Sequence, residues 1–362
     1  MAHMENTMND LSALGFDPFF ESQFPTENTI FARISAEHRG GYDVWSESGS
    51  GFAKLAGRLT RQLEQEAFPG VGDWVTLKSH PGSGNTTVIE NILERRTVFI
   101  RGAAGRQTHG QVVAANIDYV FAVCGLDSDY NLRRIERYLA RIWASGAQPV
   151  IVLNKADVCE TLDERLAEVQ EIAIGVDVLL TSAIHLEGIE KLREYLSPGL
   201  TAAFVGSSGA GKSTIINALS GEEKMTTKEV RSRDGRGCHT TTHRQLIALP
   251  EGGLLIDTPG MRELQLFDEE GIGTVFSDIE SLSEGCRFRD CTHNTEPGCA
   301  IREAVSSGEL SADRLTHYQK LEKEARSYEL RHDEAKRRKA DKDFGKHIAE
   351  VLNSKQRWKE GK

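Results

Sequence analysis

Several features that would assign this 362-residue sequence to a class are missing. No apolar run approaches the ~18 residues that a membrane-spanning helix needs. The first residues show no secretory leader pattern, so a cytoplasmic protein with no membrane partner is expected. There is no internal repeat, which excludes solenoids and propellers. Basic charge is not in excess: the net charge of −10 argues against nucleic-acid binding over the whole surface and leaves room only for local basic patches. Cysteines number six, and three lie within Cys286–Cys299. In a reducing compartment that clustering points to a metal before disulfides. What remains, 39% hydrophobic and 27% charged residues, fits a soluble chain of about two or three domains. Met1-Ala2-His3-Met4 reads as a cloning remnant. Nothing suggests an obligate dimer, and a monomer is expected.

Residues 1–28 are polar with scattered Phe and read as a flexible arm. From 29 to 105 the pattern is of short strands, Thr29–Ile34, Tyr42–Trp45, Gly51–Leu55, Asp73–Lys78 and Thr87–Leu93, separated by Gly and Pro turns. Five such strands predict a small β-barrel, an OB-fold, with an SH3-like barrel left open by the pattern alone. From 106 to 272 strands alternate with helices. Tyr119–Gly125, Pro149–Leu153, Val176–Leu180, Ala202–Val205, Leu246–Leu249 and Leu254–Ile256 read as strands. Leu132, Ile135, Leu139 and Ile142 share one helix face, with Arg133, Glu136, Arg137 and Arg141 opposite and Gly146 as the stop. This alternation predicts a parallel sheet with helices on both faces. Residues 273–362 form a cysteine-containing knot followed by a charged helical tail. The fold class expected is multidomain α/β: an N-terminal OB-fold β-barrel, a P-loop nucleotide-binding domain and a C-terminal zinc-binding helical domain.

The motifs of that central region stand in an unusual order. Gly206-Ser207-Ser208-Gly209-Ala210-Gly211-Lys212-Ser213-Thr214 follows an apolar strand and opens a helix. Backbone N–H groups of such a loop converge on a β-phosphate. Lys212 is placed to neutralise β/γ oxygens and Ser213 to ligate Mg²⁺. Asn154-Lys155-Ala156-Asp157 also follows a buried strand. Asp157 can accept from the guanine N1–H and N2 amine, whereas adenine would leave it unpaired. Thr181-Ser182-Ala183 would set the Ala183 N–H on guanine O6, with Asn154 and Lys155 bracing the pocket. Asp257-Thr258-Pro259-Gly260 ends a further strand. Asp257 can hold Mg²⁺ through water, and the Gly260 N–H can meet the γ-phosphate. The guanine-reading pair thus precedes the phosphate loop, and the domain reads as a circularly permuted GTPase. Ser197-Pro198-Gly199 sits where the ends of an unpermuted domain would be joined.

Met261 stands where Ras-like proteins place a water-orienting Gln. The nearest polar substitute is His239, ahead of Thr240-Thr241-Thr242, and Thr242 is the threonine expected to complete the Mg²⁺ shell. An exposed loop histidine is the plain alternative. Lys228, Arg231, Arg233, Arg236 and Arg244 flank this segment as phosphate contacts or as a solvated loop. Cys286-x4-Cys291-x-His293-x5-Cys299 supplies a closed tetrahedral shell for one structural Zn²⁺. Between Arg314 and Lys362 there are 15 Lys+Arg and 9 Asp+Glu. Lys336-Arg337-Arg338-Lys339 and Trp358 there suit RNA phosphates and stacking, against the alternative of a solvated helix.

Together the permuted motif order, the barrel before it and the Cys/His cluster after it resemble the RsgA family of small-ribosomal-subunit-dependent GTPases. Val71-Gly72-Asp73-Trp74-Val75, Arg236-Gly237-Cys238-His239-Thr240-Thr241-Thr242 and Asp257-Thr258-Pro259-Gly260 look like family signatures, and the match runs from about Thr29 to Tyr318. The resemblance implies GTP hydrolysis to GDP stimulated by the small subunit, binding to its rRNA, a part in its late maturation, and His239 as the water-positioning residue. Cys238 departs from the family, where a larger polar or basic residue is common. The permutation suggests that a change at the γ-phosphate moves one RNA-binding flank relative to the other. A competing reading is an RNA-docking module in which GTP sets affinity and hydrolysis is minor.

Overall fold

The computed structural model describes residues 10–24, 26, 28–63, 67–82, 85–101, 111–221, 244–257 and 270–332. The expectations on Lys228, Arg231, Arg233, Arg236, Cys238, His239, Thr240, Thr241, Thr242, Thr258, Pro259, Gly260, Met261, Lys336–Lys339 and Trp358 lie outside these residues. The described residues fall into two compact units, divided between residues 257 and 270.

The first unit opens with residues 10–24, where the expectation of a flexible arm over 1–28 does not hold. Leu14 and Phe20 are fully buried. The Phe16 ring lies 4.9 Å from that of Trp74, and α1 (Pro18–Glu21) is capped by Asp17, which accepts from the Phe19 N–H. The apolar residues here follow neither a helical nor a strand period. Their burial depends on Trp74, which is distant in sequence.

Five strands then close a barrel: β1 (Ile30–His38), β2 (Gly41–Ser46), β3 (Gly49–Leu55), β4 (Trp74–Leu77) and β5 (Thr87–Ile92), with α2 (Gly57–Gln62) after β3. The order β1-β2-β3-β5-β4 closes through a β1–β4 pairing, and β3 runs parallel to β5. That closure is the OB-fold arrangement and resolves the alternative left by the strand pattern. Its core is Ala32, Ile34, Val44, Ala53, Val75, Leu77 and Ile89. A bulge between Ile34 and Ala36 bends β1.

Two strands that sequence patterning did not mark, β6 (Val98–Arg101) and β7 (Gln111–Ala115), pair antiparallel. The nucleotide-binding sheet follows: β8 (Tyr119–Gly125), α3 (Leu132–Ala144), β9 (Gln148–Asn154), α4 (Leu162–Ile172), β10 (Asp177–Thr181), α5 (Ile189–Arg193), β11 (Thr201–Gly206), α6 (Lys212–Ser220), β12 (Gln245–Ala248) and β13 (Leu254–Asp257). In space the strands run β10-β9-β8-β11-β13-β12, all parallel except β12. Both faces are covered. Val120, Ala122, Ala203 and Val205 enter one core, while Phe121, Val123, Ala202 and Phe204 enter the other. The two-residue period of the strands separates them. Glu136 of α3, expected on the solvated face, is fully buried. Arg133 donates to it at 3.1 and 3.2 Å, which offsets the desolvation of the carboxylate.

The sheet does not stop at β12. Ala36 of β1 pairs with Gln245, so barrel strands extend the same sheet, and the boundary expected at 105/106 does not divide compact units. Arg33 of β1, 1% exposed, adds a polar link: its guanidinium donates to Thr201 Oγ1 and to the Asn116 carbonyl, both at 2.8 Å.

The second unit holds α7 (Glu270–Val275), α8 (Ser277–Ser283), α9 (Ala300–Ser307) and α10 (Ala312–His332). Phe276, Ile279, Ile301 and Leu321 are fully buried in it. Among the described residues no helix is long and apolar enough to cross a membrane.

Candidate functional site

Strand register brings the dispersed motifs to one level. Gly206 of β11 lies opposite Val123 of β8, Gly125 opposite Asn154 of β9, and Asn154 opposite Thr181 of β10. All sit at the carboxyl ends of parallel strands. The phosphate-loop strand β11 is central, with the connections running outward on either side of it. An open α/β sheet binds ligands at such a point.

The phosphate loop depends on backbone that side chains rarely adopt. Gly211 has φ +98°, and a Cβ there would stand 2.1 Å from Asn154 Nδ2. The loop therefore closes on the base-reading strand only through glycine. Lys212 Nζ donates to the carbonyls of Gly206 at 2.8 Å and Ser207 at 2.6 Å, inside the curl of the loop. Ser213 and Thr214 follow in the first turn of α6. The aligned N–H groups of that turn favour anions.

Asn154 is the hub of the site. It is 2% exposed. Its Nδ2 donates to the Ala210 carbonyl at 2.9 Å, and its Oδ1 accepts from Thr181 Oγ1 and from the Ala183 N–H, both at 3.1 Å. One buried amide thus joins the phosphate loop to both guanine-side loops. The Ala183 N–H, expected on guanine O6, already serves Asn154. Contact with a base would share that hydrogen bond or replace it. Lys155 adopts a left-handed φ of +66° and ion-pairs with Asp127 at 2.6 Å. The Asp157 carboxylate is held below its usual range, first by the Ser182 hydroxyl. The buried Ser182 Oγ falls short of full hydrogen-bond geometry, so this contact is weaker than those of Asn154. An ionised Asp157 is the form that accepts from two donors on guanine. Asp257 is placed by its backbone as the last residue of β13, opposite Gln245.

Sequence reasoning missed Asp127 and Asp129, on the turn between β8 and α3. They match no nucleotide-binding motif. The only signal was two acidic residues directly after an apolar strand.

The Cys/His cluster occupies the second unit. Cys286 Sγ lies 3.9 Å from Cys299 Sγ and 3.7 Å from His293 Nδ1, and Cys299 Sγ lies 3.5 Å from His293 Nδ1. With metal–sulfur bonds of about 2.3 Å and metal–nitrogen bonds of about 2.0 Å, tetrahedral edges come to about 3.5–3.8 Å. Cys291 completes a group whose ligand atoms all lie within 4.8 Å of one another. The donor set and spacing form a Cys3His metal-binding group compatible with zinc. Burial would raise the Cys286 thiol, but the N–H groups of Ile301 and Ala300 at the start of α9 hold it below its usual range. Such donors steady a metal-bound thiolate. Burial and the neighbouring Cys299 and Cys286 push the Cys291 thiol up to about 11, a repulsion that a bound cation removes. His293 takes a left-handed φ of +59°. The loop carrying it is braced by Glu296, which accepts from the N–H groups of Thr292, Asn294 and Thr295 at 3.0–3.1 Å. Hydrogen bonds, led by the Thr292 hydroxyl, hold its carboxyl at about 2.

A guanine-side pair of loops and a phosphate loop at one sheet end, reached in reversed chain order, define a circularly permuted GTPase. The family model described as RsgA GTPase matches residues 92–267. A protein of Lactiplantibacillus plantarum named small ribosomal subunit biogenesis GTPase RsgA 2 is 44% identical, over 93% of this chain and 95% of that protein. Its namesake from Vibrio parahaemolyticus is 41% identical, over 97% and 95%. Among solved structures, YjeQ from Thermotoga maritima is similar with a TM-score of 0.61 and 29% identity, covering 82% of this chain and 98% of that one. YloQ, described as a circularly permuted GTPase, gives 0.60 and 25%, over 83% and 96%. The chain belongs to the RsgA family of GTP hydrolases.

Proposed function

We propose that this protein is a cytoplasmic GTPase that acts as a monomer on the small ribosomal subunit during its late maturation, binds its rRNA, and turns over GTP faster when bound to it. The observation that carries the nucleotide part is the register that aligns Gly206, Asn154 and Thr181. The relatives named for small-subunit biogenesis, similar over nearly the whole chain, support the partner. Asp157, Asn154, Lys155 and the Thr181–Ala183 loop select guanine. Gly206–Thr214 hold the phosphates, with Lys212 against the β/γ oxygens. Ser213, Thr242 and Asp257 would hold Mg²⁺, which neutralises charge on the phosphates. His239 orients the attacking water, and the Gly260 N–H meets the γ-phosphate. Cys286, Cys291, His293 and Cys299 hold one structural Zn²⁺.

The test is GTP turnover by the purified protein with and without small subunits at one moderate salt concentration. Activation in trans is worth ~10³–10⁵ in GTPases. Strong stimulation by small subunits, and none by large ones, is expected. Tight GTP binding with no stimulation would instead favour an RNA-docking module and remove His239 from its role.

A further inference from the structure

We propose that the turn between β8 and α3 is a bracket that fixes the guanine-side loop and the phosphate loop at one separation, with Asp127 and Asp129 as positioning residues for nucleotide binding. The proposal rests on the reading of Asn154–Asp157 and Gly206–Thr214 as the nucleotide site.

β8 lies between the base-loop strand β9 and the phosphate-loop strand β11, so its outgoing turn stands between the two loops. Its two carboxylates reach in opposite directions. Asp127 Oδ2 accepts from Lys155 Nζ at 2.6 Å, on the guanine side. Asp129 Oδ2 accepts from the hydroxyl of Ser207, on the phosphate side. The turn itself is stiff. Asp127 Oδ1 accepts from the Asp129 N–H at 3.0 Å, and the Asp127 carbonyl accepts from the Tyr130 N–H at 2.9 Å. Arg134 of α3 donates to Asp129 Oδ1 at 2.9 Å and to the Asp129 carbonyl, while Asn131 caps the same helix. The Leu126 N–H donates to the Asn154 carbonyl at 2.8 Å, which ties the start of the turn to the base strand. At Gly125 a Cβ would stand 2.8 Å from Asp127 Oδ1, so the carboxylate folds back close over the end of β8.

Core packing does not account for these carboxylates. The Asp127 and Asp129 side chains are 32% and 23% exposed, and besides Arg134 of α3 their side-chain partners are Lys155 and Ser207, one on each nucleotide loop. A bare carboxylate behind a phosphate loop would repel the ligand. Here each is paired with a cation, Lys155 or Arg134, so its hydrogen bond can anchor a loop while its charge is offset. Burial would raise the Asp127 carboxyl, but the hydrogen bonds from Lys155 and the Asp129 N–H hold it below its usual range. Asp127 is thus the charged partner that Lys155 requires.

The experiment measures the Kd for a fluorescent GDP analogue, together with KM and kcat for GTP, in the full chain. The variants are Asp129→Ala, Ser207→Ala, the double variant, Asp129→Asn and Lys212→Ala. Losing one charge-assisted hydrogen bond weakens binding about tenfold. Asp129→Ala and Ser207→Ala are each expected to show that loss, in KM more than in kcat. The double variant should bind no worse than Asp129→Ala alone, because that change already removes the acceptor of the Ser207 hydroxyl. Asp129→Asn keeps an acceptor for Ser207 and should recover most of the affinity, which also covers a fold weakened by Asp129→Ala. Additive losses, or Asp129→Ala binding within about twofold of wild type, overturn the bracket. Lys212→Ala separates the two levels: unaltered binding there sinks the site reading itself, whereas lost binding there with intact Asp129→Ala binding sinks the bracket alone.

Discussion

The nucleotide site and the metal centre reach four or more converging groups by opposite routes. The metal ligands lie within 14 residues of chain, on a loop whose shape is set by Glu296 and by the start of α9. The loops after β9, β10 and β11 are dispersed from Asn154 to Lys212 and are brought to one level because parallel strands share a register. A local site needs a cation to hold it together. A register-built site needs its sheet, plus polar ties such as Asn154 across the loops. The first should therefore fail by losing its ion, the second by losing a tie.

Removing the metal is expected to give the largest effect. A Cys3His site supplies much of the folding energy of so small a region, on the order of 10 kcal/mol in isolated zinc modules. Cys291→Ala, or a strong chelator, should lower bound metal to near zero by elemental analysis and reduce helical circular dichroism. GDP-analogue binding should persist. Binding lost in parallel with the metal would break the contrast between the two sites.

Next in size is Asp157→Asn. An amide offers a donor where the carboxylate offered only acceptors, so it mismatches the guanine N2 amine and matches the carbonyl of xanthine. GTP affinity should fall by about a thousandfold, with xanthosine triphosphate gaining on it in direct competition. Asn154→Ala comes third. It leaves the Ala210 carbonyl, the Thr181 hydroxyl and the Ala183 N–H without their partner. Nucleotide affinity should drop about a hundredfold, with a lowered melting temperature. A variant that binds normally would show that register alone suffices.

The smallest effect belongs to the helices around Phe276. Arg314 donates to both oxygens of Asp278 at 2.7 and 2.8 Å. Arg314→Met should cost about 2 kcal/mol in urea unfolding, less than a fully buried pair because the Asp278 side chain is 34% exposed. Burial would raise the Asp278 carboxyl, but Arg314 outweighs it and holds the group below the usual carboxylate range. Its contribution is therefore complete above about pH 4 and lost as pH falls through the folded value. The gap between wild type and variant should be full at pH 6 and shrink toward pH 3.

Much of this architecture is readable from local pattern. Glycine and proline turns between short runs mark all five barrel strands within a few residues of where they lie. The six strands of the nucleotide-binding sheet are marked equally well by their apolar runs. Failures occur where a residue's fate depends on a distant partner. Leu14 and Phe20 look like parts of a loose arm until Trp74 is placed against them, and Glu136 looks solvated until Arg133 covers it. β6 and β7 form a separate two-stranded sheet, and their pairing with each other, from Val98↔Ala115 to Arg101↔Gln111, is what marks them as strands. Asp127 and Asp129 match no motif, because their meaning lies in Lys155 and Ser207, one 28 and the other 78 residues further along.

The sequence by itself determined the kinds of residues present: a glycine-rich loop with Lys212 and Ser213, an Asn-Lys-Ala-Asp loop, a thiolate–imidazole cluster and the reversed order of the first two. Residue type and short spacing suffice for these, since each acts within one turn or one strand end. Tertiary structure alone decided how the barrel closes, that it continues the nucleotide-binding sheet at Ala36 and Gln245, and which side chains tie one loop to another. Those outcomes depend on strand register and on contacts across long stretches of chain, and neither is encoded in any local period.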